Sequence, residues 1–252
     1  METSPGRGPT DVATLLTLLQ REPGRPRITW YGEQGERVEL SGAVLVNWVI
    51  KTTNLLVEEF DVGPGSRVLL ELPPHWRTPL WALAAWRAGA CVVTAGPDEP
   101  GAAWSPVDTV VTTRPDTHAG APDVVAVALP ALARRWDGTL PPGALDAAAA
   151  VMTYGDALGP TLPADPTTPA LEGGQDLVQH VDLLMYATQA LPAAAASRVA
   201  LPATGDVTTL LLRAVGAWAA DGSVVLLHPT AVADAGALEA LLHGEHVTAR
   251  VP

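Results

Sequence analysis

Residues 41–94 read SGAVLVNWVIKTTNLLVEEFDVGPGSRVLLELPPHWRTPLWALAAWRAGACVVT, and this stretch decides the fold. Ser41 suits a helix N-cap, and Val44, Trp48 and Leu55, with Leu45, Val49 and Leu56, recur at the spacing of a buried helical side. Asp61-Val62-Gly63-Pro64-Gly65 supplies a turn, with glycine for unusual dihedrals and proline to fix φ. Residues 67–72 are apolar apart from Arg67 and Glu71, as in a strand covered on both faces of a parallel sheet. Pro73 and Pro74 stop that strand, Thr78 and Pro79 predict a helix start, and Gly89 its end. Residues 91–94 then predict a second buried strand. Strand, helix, strand in this order is a βαβ unit, whose crossover is right-handed.

Working outward, Val12, Leu15, Leu16 and Leu19 mark a helix, and residues 28–31 and 37–40 form a hairpin around Gly32 and Gly35. Downstream, residues 96–106 read as loop, 107–112 and 123–129 as strands, and 130–136 as a short helix. Residues 139–174 are rich in proline and glycine and predict an irregular linker with one short element near 150–154. A helix is expected over 176–191, with Leu177, Val181, Leu184 and Met185 on one face. A strand at 197–200, a helix at 206–220, a strand at 223–227, a helix at 234–243 and a strand at 246–250 complete the pattern.

Two segments repeat one layout. Ser66-Arg67-Val68, a helix holding Trp86, Gly89 and Val92-Val93 match Ser197-Arg198-Val199, a helix holding Trp218, Gly222 and Val224-Val225. The repeat predicts an α/β protein of two related parallel-sheet halves with helices on both faces. The expected boundaries are a first half at 1–138, a linker at 139–175 and a second, shorter half at 176–252, within one continuous domain or two.

Composition narrows the function. The chain has 252 residues, 48% hydrophobic and 17% charged, with a net charge of −12. That balance argues against nucleic-acid and membrane partners, since no basic stripe offsets phosphate repulsion. The single cysteine, Cys91, lies in an apolar strand pattern and reads as a buried structural thiol. No apolar leader opens the sequence, so a cytoplasmic location is expected. The one lysine, Lys51, falls in the long first helix and reads as part of a solvated face.

Motifs for dinucleotide, Walker-type phosphate and nucleophile-elbow chemistry are absent. His243 and His246 flank Glu245 in the order H-x-E-H, which does not put two ligands on one helical face, so no metal site is expected. His75, beside Trp76 in the loop after a strand, is a pocket candidate, because α/β proteins place binding groups at strand ends.

Residues 35–94 resemble the N-terminal region of the adenylate-forming superfamily of acyl-CoA synthetases, adenylation domains and luciferases. Arg37-Val38-Glu39-Leu40-Ser41 stands where that family has "T-Y-x-E-L". Asp61-Val62-Gly63-Pro64-Gly65-Ser66-Arg67-Val68 matches "G-V-x-P-G-D-R-V". Leu72-Pro73-Pro74-His75-Trp76 and Ala82 to Val93 match "L-P-N-x-x-x-W … A-x-L-A-x-x-x-A-G-A-V-Y-V". The resemblance implies a large domain of two similar α/β halves, and acid activation by Mg-ATP through AMP with later transfer to a thiol. It also implies a phosphate-gripping loop "T-S-G-T-T-G-x-P-K" near Asp165. There the chain keeps Thr167, Thr168, Gly173 and Gly174 as remnants, in altered order, with Pro166 and Pro169 interrupting and Glu172 in place of a cation. The family's adenine-contacting motif and lysine-bearing lid have no counterpart in these residues.

These readings predict no catalytic residue and no cofactor. They point to a non-catalytic homologue that binds a small molecule or a protein. The alternatives are one part of a split ligase, which would need Mg-ATP and a second chain, and an obligate homo-oligomer covering a sheet edge near residues 247–251.

Overall fold

The computed structural model describes residues 8–94, 106–118, 120–174, 176–192, 194–232 and 234–251. The loop expected at 96–106 lies almost wholly outside them. Helix α1 (Val12–Leu19) leads into a hairpin of β1 (Pro26–Tyr31) and β2 (Arg37–Ser41). Helix α2 (Gly42–Phe60) then connects to β3 (Arg67–Glu71), α3 (Arg77–Ala88) and β4 (Cys91–Thr94). Strands β5 (Thr109–Thr112), β6 (Asp123–Ala126) and β7 (Leu145–Asp146) and helix α4 (Ala147–Ala150) follow. A second hairpin, β8 (Pro169–Gly173) and β9 (Asp176–Gln179), precedes α5 (Leu183–Ala190), β10 (Arg198–Pro202), α6 (Val207–Ala219) and β11 (Ser223–Leu227). Helix α7 (Ala235–Gly244) and β12 (Ala249–Arg250) complete the order. Among the described residues no helix is long and apolar enough to cross a membrane.

The strands form two sheets, in the orders β12-β10-β11-β1-β2 and β7-β6-β5-β3-β4-β8-β9. Each is parallel except for one hairpin strand, β2 or β9. The repeat seen in the sequence is a physical one. Arg67 pairs with Cys91 across β3 and β4, and Arg198 with Ser223 across β10 and β11. The two tryptophans do the same work. Trp86 donates its indole N–H to the carbonyl of Ala170 on β8 at 2.6 Å, and Trp218 donates to the carbonyl of Arg27 on β1 at 2.8 Å. In each case the acceptor strand is the next neighbour beyond the unit's own second strand.

The hairpins are exchanged between the units. Hairpin β1–β2 comes first in the chain, yet it extends the sheet of β10 and β11, with Ile28 opposite Val224. Hairpin β8–β9 precedes β10, yet it extends the sheet of β3 and β4, with Val92 opposite Leu171. Helix α3 packs on β3 and β4, α6 packs on β10 and β11, and α3 touches α6. A helical layer therefore joins the two sheets, and α1 reaches α2, α3 and α6 within it. Fully buried Leu15, Leu19, Leu45, Leu83, Leu211 and Trp218 share one core.

Several local expectations are corrected. Residues 176–179 are strand, and the helix begins at Leu183 after Asp182. Val178 is buried while Leu177, Val181 and Met185 are exposed, so the apolar residues alternate across a strand before the helix starts. The stretch 139–175 holds β7, α4 and β8, because Ala170 and Leu171 are buried against β4 despite the surrounding prolines. No helix forms at 130–136, where the N–H of Ala131 bonds to the Glu36 carboxylate at 2.9 Å. Helix α3 starts at Arg77 without a side-chain cap, and the Thr78 hydroxyl bonds back to the Pro73 carbonyl at 2.7 Å. Val44 is exposed, on the outer side of α2.

Lys51 is not on a solvated face. It is buried, donates to the Tyr154 carbonyl at 2.5 Å and pairs with Asp156 at 2.6 Å. Asn54, one turn on, bonds to Gly155, Ala157 and Gly159. Together these side chains tie the backbone at 154–159 to α2.

Candidate functional site

Open α/β sheets bind ligands beyond the carboxyl ends of their strands. Here the carboxyl ends of both sheets open onto one crevice of about 730 Å³. From one sheet it is lined by residues at or just past β1 (Trp30), β10 (Ala203) and β11 (His228); the other adds Pro73, Pro74 and His75 after β3, and Leu129 and Pro130 after β6. Its size falls within the range of small-molecule sites.

A chain of aromatic and charged groups runs from the crevice wall into the core behind it. Trp30 donates its indole N–H to Glu36 at 2.8 Å. The His75 ring stands edge-on to Trp30 at 4.7 Å between centroids, and its Nδ1 accepts the backbone N–H of Arg77 at 3.3 Å. The Arg77 guanidinium stacks over Trp76 at 4.3 Å and donates to the carbonyls of Leu129 and Pro130 at 3.4 and 3.2 Å. Burial pushes Arg77 down to about 10, partly offset by Glu36. The His228 ring lies 6.0 Å from Trp30, and His228 Nδ1 shares a hydrogen with Thr230 at 2.8 Å. Among the described residues lining this crevice there is no lysine or arginine.

Burial pushes the His75 imidazole down to about 3, with Arg77 and His228 adding to the effect, so it is uncharged at neutral pH. The unfolded imidazole titrates near 6.5. The native state therefore binds fewer protons than the unfolded state between those values, and stability falls as pH drops from 6.5 towards 3. His180 is also held below its usual value by burial, and it adds to the same slope. The variant His75→Asn keeps an acceptor for Arg77 but does not titrate. Urea unfolding at pH 7.5 and pH 5 should show a clear loss for the native chain and a much smaller one for the variant. Equal losses would remove His75 as the source.

The other residues singled out in the sequence do not meet at this crevice. Thr167 and Thr168 form a turn around Asp165 at the amino end of β8, whereas Gly173 and Gly174 lie at its carboxyl end, about 17 Å away along an extended strand. The four remnants therefore form no common loop. The connection from β8 to β9 is short, because Gly173 pairs directly with Asp176. Gly173 itself is locked in place: a Cβ there would lie 1.9 Å from Thr94 Oγ1 and 2.4 Å from Thr208 Oγ1. Glu172 pairs with Arg67 across β4 at 2.5 Å.

Two polar clusters lie outside the crevice lining. Glu245, between His243 and His246, receives the Tyr31 hydroxyl at 2.5 Å and the guanidinium groups of Arg37 and Arg198. It clamps the end of α7 to β1, β2 and β10. Burial pushes the Glu245 carboxyl up, but the bonds from Tyr31, Arg198 and Arg37 outweigh it and hold it low. Glu71 receives Thr112, Arg114 and His118. Cys91 is buried and pushed up to about 12, chiefly by that burial, which makes it a poor nucleophile. The crevice's other members, Trp30, Glu36 and His228, carry no motif that a linear reading could find. They meet only because β1 joins the sheet of β11.

The arrangement has solved counterparts. A fatty acyl-CoA synthetase of Mycobacterium tuberculosis superimposes over 96% of this chain with a TM-score of 0.66 at 14% identity. The fold is that of an acyl-CoA synthetase N-terminal domain. The inhibitor-bound N-terminal domain of FACL13 from M. tuberculosis agrees at a TM-score of 0.68 and 12% identity over 96% of the chain. A Brucella canis acyl-CoA synthetase agrees at 0.65 and 18% over 95%. In sequence, a "TIGR03089 family protein" of M. tuberculosis strain H37Rv is 37% identical over 158 residues, 59% of this chain. No family model matches. The chain spans 61% of that relative's length and 49%, 62% and 50% of the three structural neighbours.

Proposed function

We propose that the chain is a non-catalytic relative of the acyl-activating enzymes, whose crevice binds an apolar small molecule or the side chains of a protein partner. The short β8–β9 connection carries this reading. Gripping a polyphosphate takes a run of backbone N–H groups and a cation. So short a turn cannot wrap around it, and the charged strand residues that flank the turn are anions, Asp176 and Glu172, the latter already paired with Arg67. The crevice offers a nucleotide no cation either. Its indole, proline and imidazole surfaces instead suit an uncharged or cationic apolar ligand, with Glu33 and Glu36 at hand for a positive group.

Calorimetric titration with Mg-ATP tests the reading, and no binding up to millimolar nucleotide is the expected result. Saturable micromolar binding would overturn it and favour a split ligase completed by a second chain.

A further inference from the structure

A second pocket, of about 430 Å³, opens at the opposite edge of the seven-stranded sheet. Its position follows from the topology. Arg87 lies in the last turn of α3 just before β4 begins, Pro166 precedes β8, and His180 follows β9, which runs antiparallel to β8. All three mark the amino ends of β4 and β8, away from the crevice. The volume suits a small organic ligand.

The walls are apolar, built from Trp86, Leu184, Val181 and Pro163. The polar groups are unequally engaged. The Asp11 carboxylate receives the Thr14 N–H at 2.7 Å and its hydroxyl at 2.9 Å as the cap of α1. The nearby Asp165 carboxylate receives the Thr167 N–H and hydroxyl at 2.9 and 2.8 Å. The Arg87 guanidinium, by contrast, has only the Thr161 hydroxyl, at 3.3 Å, and no ion-pair partner among the described residues. In the same pocket, His180 Nε2 is buried with no hydrogen-bond partner. A buried nitrogen without a partner and a cation without a counter-ion, in an apolar recess, call for a negatively charged group.

We propose that this pocket binds a small amphipathic anion, its apolar body against Trp86 and Leu184 and its charged head on Arg87 beside His180. The site is separate from the crevice, and its occupancy does not depend on whether the crevice takes a nucleotide.

Calorimetric titration of the full chain with octanoate, octyl sulfate and octanol tests the proposal. Both anions should bind saturably at one site, and octanol at least about tenfold more weakly. Arg87→Gln should weaken the anions about tenfold and leave octanol unchanged. Ala13→Trp, which places an indole across the pocket from an exposed position of α1, should abolish binding of all three. Any of three results would overturn the proposal: no saturable binding below millimolar concentration, equal affinity for octanol and the anions, or anion binding indifferent to both substitutions. Retention of native circular dichroism by both variants separates loss of the site from loss of the fold.

Discussion

Trp218→Ala should lower the unfolding free energy by about 3–5 kcal/mol, a large share of the 5–15 kcal/mol that holds a typical domain. The side chain is fully buried, and its indole N–H bonds to the Arg27 carbonyl at 2.8 Å. Alanine leaves a cavity at the junction of α6, β11 and β1 and orphans a buried acceptor. Trp218→Phe separates the two effects. It keeps most of the volume and removes the donor, so about 1–3 kcal/mol should be lost. Trp86→Phe should cost a similar amount, because Trp86 bonds to Ala170 in the equivalent place. Urea unfolding followed by far-ultraviolet circular dichroism measures all three. If either phenylalanine variant matched the native midpoint, the paired role of the two indoles would be wrong.

Gly216→Ala is the second large effect, and two opposing magnitudes decide its sign. Within a helix, alanine is favoured over glycine by about 1 kcal/mol. At Gly216 of α6, however, a Cβ would lie 2.2 Å from the Ala187 carbonyl oxygen of α5 and 3.0 Å from its carbon. Both are backbone atoms, so relief requires the helices to part, and overpacking of this kind costs up to about 3 kcal/mol or more. A net loss of about 2 kcal/mol or greater is expected, seen as a lower melting temperature. Gly244→Ala in α7 is the control, since nothing lies within 4 Å of its Cβ. It should be neutral or mildly stabilising. A Gly216→Ala chain as stable as the native one would show that α5 and α6 are not in backbone contact.

The sequence carried the fold where local signals agreed with tertiary ones. Turn chemistry at Gly63-Pro64-Gly65, continuous apolar strands and the repeated arginine–tryptophan layout all survive in the structure. The errors share a cause. Leu177, Val181 and Met185 have helical spacing, but the demand of β8 for a partner turned 176–179 into strand. Lys51 looked solvated because its partners, Tyr154 and Asp156, lie a hundred residues away and inside a segment read as irregular. Of the candidate site, only His75 was legible, through its place after a strand. Trp30 and His228 are joined to it by a long-range pairing that no local pattern reports. The length of the β8–β9 turn was hidden for the same reason: register becomes visible only when both strands are known.

The exchanged hairpins bear on how the chain is made. During synthesis β1 and β2 emerge long before their neighbour β11. Until then one edge of β1 has its backbone groups exposed, and an uncovered strand edge recruits other chains. The pairing of Ile28 with Val224 is also strongly non-local, which slows productive closure. Refolding yield should therefore fall with rising protein concentration more steeply than final stability implies.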